Sequence, residues 1–459
     1  MTKKLIVSFS IILLISSVAA FAQSEKTPPP GEPEDPGFTF ALGLTLGYSS
    51  FGDDESYQKL GLRPDFGYGK FGLGLALDLH YRFVDGVLDF RSEDWVPDAE
   101  HSFFDIYLPI FRYIRYGQKG EPIFAKIGAI EDLTLGNGFI MYNYSNALFL
   151  PETRITGLAF DLDGRFFDFP LIGFETVIGN LAALDVMGAR FYIRPMYYLE
   201  LPILPMLQVG ASYVIDRAPF KWVTDTYAAA EGFPDPDAEY VDAFGIDFIQ
   251  PILTQAPVTF AFFGDFVWQN KGSSVGGMTG FGGKLIDIFV YNVQARFVGE
   301  NFIPVYFDQT YDISRAVKYP LIENGSSPGF VGWYASLGTN LFDLFILTIS
   351  VDGPFAEVDA ANPDNYLNYP HLRGVLTLKE GPLAGFSADL VYDKTLLGHS
   401  GDFFGDLVDP EGALTTVKLH YSFGPAIITL LYEIRYVPDA VGDPWVITSG
   451  LESSVVIPF

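Results

Sequence analysis

The sequence predicts an all-β protein that forms a single transmembrane antiparallel up-and-down β-barrel of about 18–20 strands, with twenty preferred and no plug domain. Three observations predict it. Large apolar residues alternate with small or polar ones in short segments along the chain, and the last such segment ends on Phe459. No apolar run after residue 22 approaches the ~18–20 residues that a membrane helix needs.

The terminal segment, residues 445–459, shows the alternation clearly. Every second residue back from the end gives a mostly apolar face with an aromatic residue at each end, and the other face is smaller and more polar. Successive side chains of a strand point to opposite faces, so the pattern suits a strand with lipid on one side. The alternative is an edge strand of a soluble sandwich.

The clearest internal strand covers residues 71–83, with large apolar residues on one side and glycine, alanine and charged residues on the other. In a soluble sheet such an apolar face would need a second packed layer, whereas in a barrel the lipid covers it. The same alternation, regular or weak, predicts strands at 38–49, 57–66, 71–83, 104–115, 123–133, 154–163, 172–180, 188–199, 207–216, 241–250, 257–268, 275–283, 286–298, 330–339, 343–352, 370–379, 384–393, 413–423, 426–436 and 445–459.

The first residues predict export. Lys3 and Lys4 precede an apolar stretch at 5–19, and a small-residue site follows, with cleavage expected before Gln23. We therefore expect a signal peptide at 1–22, an extended acidic and proline-rich leader at 23–37, and the transmembrane barrel at 38–459. An uncleaved N-terminal anchor is the alternative. The expected location is the bacterial cell outer membrane.

The connections between the predicted strands alternate in length. Short ones lie at 67–70, 340–342, 380–383 and 424–425, and long ones at 84–103, 134–153, 217–240, 299–329, 353–369 and 394–412. Bacterial barrels have short periplasmic turns and longer outer loops, so the long set predicts the outer end. Because the long set is rich in acids, we expect a channel through the barrel to have a mild cation preference. The formal charge of −28 also argues against a nucleic-acid partner.

The pattern as a whole resembles that of Gram-negative porin-type outer-membrane proteins. The terminal Phe459 is similar to the end that the barrel-assembly machinery recognises in that class. Three runs at 62–72, 135–146 and 188–195 are similar to bacterial barrel proteins without an assigned activity, so the resemblance implies a fold and no reaction. No segment matches the signatures of outer-membrane phospholipases or proteases.

Candidates for narrowing the lumen lie in two connections and on the inward strand faces. The first connection, 135–151, combines glycine with amide and aromatic residues, and the second, 299–329, contains several tyrosines. The alternatives are ordinary packed outer loops and, for the charges, a structural salt-bridge network. The candidate lumen or constriction residues are Asp78, His80, Arg82, Asn137, Tyr142, Asn143, Tyr144, Asn146, Arg190, Arg194, Asp265, Lys418, His420, Glu433 and Arg435.

The residue pattern favours transport over catalysis. The chain has five His and no Cys, and none of the His has a metal-ligand spacing, so we expect no enzyme activity, catalytic residue, metal or cofactor. The main hypothesis is a channel for passive or substrate-preferring diffusion of small polar solutes. The alternatives are a structural or adhesive surface barrel with a blocked lumen and a channel for hydrophobic molecules. Expected partners are outer-membrane lipid, the assembly machinery and small solutes, with homo-oligomerisation left open.

Overall fold

The computed structural model describes residues 37–51, 55–97, 103–147, 154–255, 257–286, 288–325, 327–355, 365–380, 385–409, 412–423, 426–436 and 445–458. In this part of the chain, twenty-two strands form one sheet in which neighbouring strands are antiparallel. The signal peptide, most of the leader and Phe459 lie outside the described residues. The first described strand begins at Phe38.

The strands are β1 (Phe38–Phe51), β2 (Glu55–Tyr68), β3 (Phe71–Leu75), β4 (Leu77–Val84), β5 (Val87–Phe90), β6 (Phe111–Tyr116), β7 (Ile123–Gly128), β8 (Gly157–Asp163), β9 (Ile172–Ile178), β10 (Val186–Ile193), β11 (Gln208–Asp216), β12 (Val241–Leu253), β13 (Phe260–Gln269), β14 (Ser274–Leu285), β15 (Phe289–Val298), β16 (Phe330–Leu341), β17 (Phe345–Pro354), β18 (His371–Leu378), β19 (Phe386–Lys394), β20 (Ala413–Phe423), β21 (Ala426–Tyr436) and β22 (Trp445–Pro458). The helices are α1 (Phe103–Tyr107), α2 (Asp225–Ala230), α3 (Tyr311–Glu323) and α4 (Phe403–Asp406). No helix in the described part of the chain has the length and hydropathy to cross a bilayer.

The sheet closes on itself because the last strand pairs with the first, with Leu44 opposite Val455. Two positions in the wall are each shared by two strands. In the first, β3 and β4 both pair with β2. In the second, β6 pairs with β3 and β5 pairs with β4. The twenty-two described strands therefore occupy twenty positions in the wall. This confirms the predicted antiparallel up-and-down barrel and its preferred strand number.

Most long connections, such as 217–240 and 299–329, lie at one end of the barrel, as the sequence predicts. Connections 270–273, short at that end, and 194–207, long at the other, are exceptions. One predicted long connection, 84–103, is wrong. Asp85 and Gly86 instead form a two-residue turn with φ of 51° and 78°, the left-handed geometry that Asp-Gly supplies in tight hairpins, and β5 follows it. The strand predicted at 104–115 is also wrong in its first half, where α1 lies.

The outward face of the wall is apolar and the inward face is small or polar. On β12, Phe244 and Ile246 are 42% and 46% exposed, whereas Ala243 and Asp247 are 2% and 6% exposed. Exposed aromatic residues also lie at both ends of the barrel. At the short-turn end they include Phe38, Tyr68, Tyr198, Phe342 and Phe423, and at the long-loop end Phe83, Phe90 and Phe355. This reverses the arrangement of a water-soluble sheet and matches a lipid-facing band with aromatic girdles.

The outward face yields a direct test. We expect Ile246→Lys, in the middle of β12, to lower the free energy of unfolding by about 2–4 kcal/mol because it places a charge at the bilayer midplane. Urea titration in lipid vesicles measures it. Val408→Lys, at an 82% exposed loop position, is the control and should change stability by less than about 0.5 kcal/mol. Equal, small effects at both sites would contradict a membrane-facing β12.

Candidate functional site in the barrel lumen

Two long connections fold into the barrel and fill one side of its lumen. The first, residues 129–147 after β7, is called the inner hairpin, and the second, residues 299–325 after β15, is called the helix loop because it carries α3. The inner hairpin reaches across the lumen from β7: the Asn137 side chain donates to the Phe248 carbonyl at 3.0 Å. Tyr142 lies at the far side, with its hydroxyl 3.4 Å from that of Tyr334 on β16.

Local hydrogen bonds and glycines shape the inner hairpin. Leu133 and Tyr144 pair through their backbones, and Gly136 and Gly138 turn the tip with φ of 56° and 89°, values that suit glycine best. At the base, the Asn146 amide accepts from the Ile130 N–H and donates to the Gly179 carbonyl, both at 2.7 Å. The hairpin is therefore tied to the wall at its base as well as at its tip.

The helix loop and the inner hairpin form one apolar core inside the barrel. Tyr306, Phe307 and Tyr311 have no exposed surface, and Phe139 of the hairpin stacks on Phe302 of the helix loop at 5.6 Å. A backbone bridge joins the two segments directly at Phe307. Buried inward residues of the wall complete this core, including Phe124, Val177, Val214, Phe263, Val267 and Met278.

A buried charge cluster fixes α3 to the wall. The Arg315 guanidinium donates to Asp185 at 3.2 Å and to Asp216 at 3.3 Å, and the Tyr144 hydroxyl donates to Asp312 at 3.3 Å. Burial raises the pKa of Asp312 to about 7, against the opposing charge of Arg315. Burial acts in the same direction on Asp185, but Arg315 and Lys221 outweigh it and hold the pKa of Asp185 below its usual value.

A second buried cluster lies under the hairpin tip. Arg190 is 2% exposed and donates to Asp247 at 2.6 Å and to Glu175 at 3.1 Å. Glu175 also accepts from the backbone N–H of Gly136 at 3.2 Å. Arg190 therefore orients the Glu175 carboxylate, which in turn binds the tip of the inner hairpin. The guanidinium therefore has one buried carboxylate partner, Asp247, and one partly exposed partner, Glu175, and such charge-assisted pairs are strong and directional.

The other side of the lumen is lined by charged side chains instead of apolar ones. On β17 to β19, the two ring nitrogens of His371 lie 3.0 Å from Asp352 and 3.0 Å from Asp393. On the next strands, His420 lies 3.2 Å from Asp389 and 2.7 Å from Thr429. We call the three acids and two His of this wall the acid–histidine sector.

A group of cations lines β2, β6 and β7 and is called the basic sector; its members are Lys59, Arg63, Arg112, Arg115 and Lys126. Two carboxylates accompany them in this part of the wall: Asp78, which lies 3.6 Å from Lys59 and 2.5 Å from Arg63, and Asp65, which pairs with Arg112 and accepts from Tyr113 at 2.9 Å. Arg115 and Lys126 face each other across β6 and β7. Cations therefore outnumber carboxylates among these described residues.

The predicted candidate residues lie in several parts of the lumen and do not form one ring. Asp78, His80 and Arg82 point inward on β4, with His80 2.7 Å from Asp94 and Arg82 3.0 Å from Asp89. Asn137 and Tyr142 lie on the hairpin, Arg190 and Asp265 beneath its tip, and Lys418 and His420 on β20. Asn143, Tyr144 and Asn146 hold the hairpin together, and Arg194 pairs with Asp163 at the short-turn end. The side chains of Glu433 and Arg435 are outside the described part of the chain.

Two components of the site were not predicted: α3 and the five cations of the basic sector. The helix carries a signal in its sequence, because Tyr311, Arg315 and Tyr319 recur at helical spacing and Asp312 lies in the first turn. Arg112 and Arg115 were missed because the segment that contains them alternates weakly. Arg63 was missed although its strand alternates clearly, with Leu60 and Leu62 on the opposite face. At β6 the register with β3 shifts between Gly74 and Leu75, so period-two counting fails there.

Comparisons with known proteins find similarity only among solved structures; no protein-family model and no curated protein matches the chain. The chain is similar to OpdQ of Pseudomonas aeruginosa, at 10% identity over 92% of this chain and 98% of that one, with a TM-score of 0.33. It is also similar to OpdK of that organism, solved with vanillate, at 10% identity over 92% of this chain and 99% of that one, with a TM-score of 0.34. A third similar structure is the outer membrane protein OprD of the same organism, at 9% identity over 92% of this chain and 93% of that one, with a TM-score of 0.30. With scores this low, no residue is carried over, and the barrel stands on the strand pairing described above.

The charge cluster on α3 yields a pH prediction. Because the folded pKa of Asp312 is about 7 and an unfolded Asp has a pKa near ~4, the folded protein binds more protons between these values. The contribution of Asp312 to stability is therefore complete below about pH 4 and is lost as the pH rises through about 7. We expect Asp312→Asn to remove this loss and to stabilise the protein at pH 8 by an amount on the order of 1–4 kcal/mol.

Asp185→Asn is the matched control, with the opposite sign. The folded pKa of Asp185 is depressed, so its contribution is present above the unfolded value and is lost as the pH falls through the folded one. We expect Asp185→Asn to destabilise the protein at pH 8 by about 3–5 kcal/mol, since it removes a partner of the buried Arg315. Hydrogen exchange of the α3 amides at pH 5 and pH 8 measures both variants. Parallel pH profiles for Asp312→Asn and the wild type would contradict the assignment.

Proposed function

We propose that this protein is an outer-membrane porin-like channel for passive or substrate-preferring diffusion of small polar solutes, narrowed by the inner hairpin and the helix loop. The closed barrel with an apolar outer face supports placement in a bilayer. In this proposal the short turns face the periplasm and the long loops face outward. The signal peptide, cleaved before Gln23, delivers the chain to the barrel-assembly machinery.

The observation that carries the proposal is the division of the lumen into two unlike sides. One side is filled by an apolar core that includes Phe307 and Tyr311, and the other is lined by the basic sector and the acid–histidine sector. A solute that moves along the barrel then has charged and hydroxyl groups on one side and the edge of the inner hairpin on the other. Fixed charges along the wall of a narrow passage select solutes by size and charge.

The clusters of titratable groups in the lumen support a structural role in preference to catalysis. The His residues on the inward face are each held by carboxylates or hydroxyls, as His420 is by Asp389 and Thr429. In the described part of the chain, no group of three or more His, Asp or Glu side chains has the geometry to hold a metal ion. We therefore propose a channel without enzyme activity or cofactor, surrounded by outer-membrane lipid.

Conductance in planar bilayers tests the proposal. We expect stable open steps for the wild type and a severalfold larger single-channel conductance when residues 135–143 are replaced by a short Gly-Ser linker, because the linker removes the tip that crosses the lumen. Replacing residues 399–406, in the α4 loop, is the control and should leave the conductance within about 20% of the wild type. Silence of correctly folded wild type and tip variant alike would favour the blocked, adhesive barrel instead.

Selectivity tests the role of the basic sector. The acidic loops enrich cations at the mouth, so we expect a mild cation preference in a salt gradient. Arg112→Gln combined with Arg115→Gln should raise that preference, since both remove positive charge from the lumen wall. The reversal potential measures the change. An unchanged reversal potential in the double variant, with conductance retained, would show that the permeating ions do not pass along this wall.

A further inference from the structure

One connection at the short-turn end of the barrel is unusually long and apolar. It joins β10 to β11 through residues 194–207, and it is the longest of the described connections at that end. Of its fourteen residues, nine are apolar and three are proline, and the charged ones are Arg194 and Glu200. We call residues 194–207 the apolar connection.

The apolar side chains of this connection are exposed and do not pack into a core of their own. The exposed residues are Tyr197, Tyr198, Leu199, Leu201, Leu204 and Met206, with exposures between 38% and 67%. A contiguous apolar surface of this kind marks a contact with a protein partner or with a membrane. The apolar connection therefore requires something to cover it.

The last turn of the apolar connection lies against the outside of the wall. Gln250 of β12 is opposite Phe262 of β13, and Phe262, at 41% exposure, faces out of the barrel. Directly opposite residues of paired strands share a face, so Gln250 also faces out. Its side-chain N–H donates to the Ile203 carbonyl at 3.0 Å. Because Gln250 precedes the end of β12 by three residues, Ile203 lies beside the paired wall and not beyond its end.

The backbone of the apolar connection suits a medium with little water. Its three prolines have no N–H group that would need a partner. Local turns pair several of the other N–H groups, since Tyr197 donates to the Arg194 carbonyl at 3.2 Å and Met206 donates to the Ile203 carbonyl at 3.1 Å. The Arg194 charge is compensated by Asp163 at 2.5 Å. Unpaired N–H groups are costly near hydrocarbon, so these features fit the boundary between lipid headgroups and acyl chains.

The apolar connection continues the outward surface of the two strands that it joins. Ile193, the last residue of β10, is 39% exposed, and Val209, near the start of β11, is 38% exposed. The two residues are opposite each other on the outward face. Tyr197 and Tyr198 follow a few residues later, and Tyr is enriched where a membrane meets water. Because the connection continues from residues that contact acyl chains in the proposed channel, the same lipid also reaches the connection.

We propose that the apolar connection is an interfacial anchor that lies in the periplasmic leaflet of the outer membrane, with phospholipid acyl chains as its partner. Its Leu and Tyr side chains enter the leaflet, and Glu200 stays in the headgroup layer. The anchor rests on the proposed membrane location and on the orientation with short turns toward the periplasm. It gives a membrane-binding role to a connection that would otherwise lie in water, and it fixes the depth of this end of the barrel.

Single-cysteine labelling tests the anchor, because the chain has no Cys of its own. Leu201→Cys is labelled with bimane in the full-length protein, in nanodiscs of phosphatidylethanolamine and phosphatidylglycerol. We expect lipid that is spin-labelled near its headgroup to quench this label about threefold more than the same label at Lys119→Cys, because an interfacial segment lies ~5–10 Å into the boundary between headgroups and acyl chains. Dissolved iodide should quench the two labels in the reverse order.

Lys119 is the matched aqueous control, because it lies in the turn between β6 and β7 at the same end of the barrel and its side chain is 45% exposed. Ile246→Cys, in the middle of β12, is the membrane control. If the lipid quenches the label at Ile246 and the label at Leu201 behaves like that at Lys119, the anchor is wrong and the membrane location stands. If the lipid quenches neither Ile246 nor Leu201, the membrane location is wrong as well.

Acidic substitutions test whether the apolar side chains hold the connection in the leaflet. Leu199→Asp with Leu201→Asp, labelled at Leu204→Cys, should lose more than about half of the lipid quenching, because burying a carboxylate among acyl chains is costly. Leu199→Met with Leu201→Met is the matched control and should keep the quenching within about 20%. Equal quenching in the two variants would overturn the anchor. Shielding from iodide that requires two copies in one nanodisc would also overturn it, since a second copy would then be the cover.

Potassium chloride conductance separates this inference from the proposed channel. We expect the acidic variant at Leu199 and Leu201 to conduct like the wild type, because the connection lies outside the lumen. If the wild type conducts but the Leu201 label lies in water, the channel stands and the anchor is wrong. If the label lies in lipid but the wild type does not conduct, the anchor stands and the channel is wrong.

Discussion

The backbone pairing between β1 and β22 is the contact on which the rest of the molecule depends. In a hydrocarbon environment each unpaired N–H or C=O costs several kcal/mol, so an antiparallel sheet is stable there only when its first and last strands meet. Once the sheet is closed, its described strands have one face toward the outside of the barrel and one toward the lumen. The period of two along strands such as β12 follows directly, and it sends Ile246 outward and Asp247 inward.

Closure also creates an interior that is wide and polar, and the chain fills part of it with its own loops. The inner hairpin and the helix loop place aromatic residues such as Phe307 and Tyr311 inside the barrel, so the molecule has an apolar core within a polar lining. The buried ion pairs join the two. Such pairs offer weak net stability because desolvation offsets their attraction, but Arg190 and Arg315 fix where the loops lie.

The sequence was sufficient for the elements governed by local alternation and insufficient for contacts made across the lumen. Alternation with a period of two predicted which residues of β4 face outward and which face inward. The same alternation predicted the twenty strand positions. The turn at Asp85 and Gly86 was missed although its dipeptide is a hairpin signal. Arg190 and Asp247 are far apart in sequence, as are Tyr144 and Asp312, so no local pattern could reveal these pairs; they depend on how deeply the loops enter the barrel.

The filling of the lumen and the low wall at β6 and β7 have the same origin. The inner hairpin is the stretch of chain between β7 and β8. Residues that form it cannot also lengthen these two strands toward the long-loop end. The hairpin leaves the wall immediately after Gly128, and the wall there has only the four pairs of the described β6 and β7. A loop that narrows the axial path is therefore formed at the expense of strand pairing beside its own base.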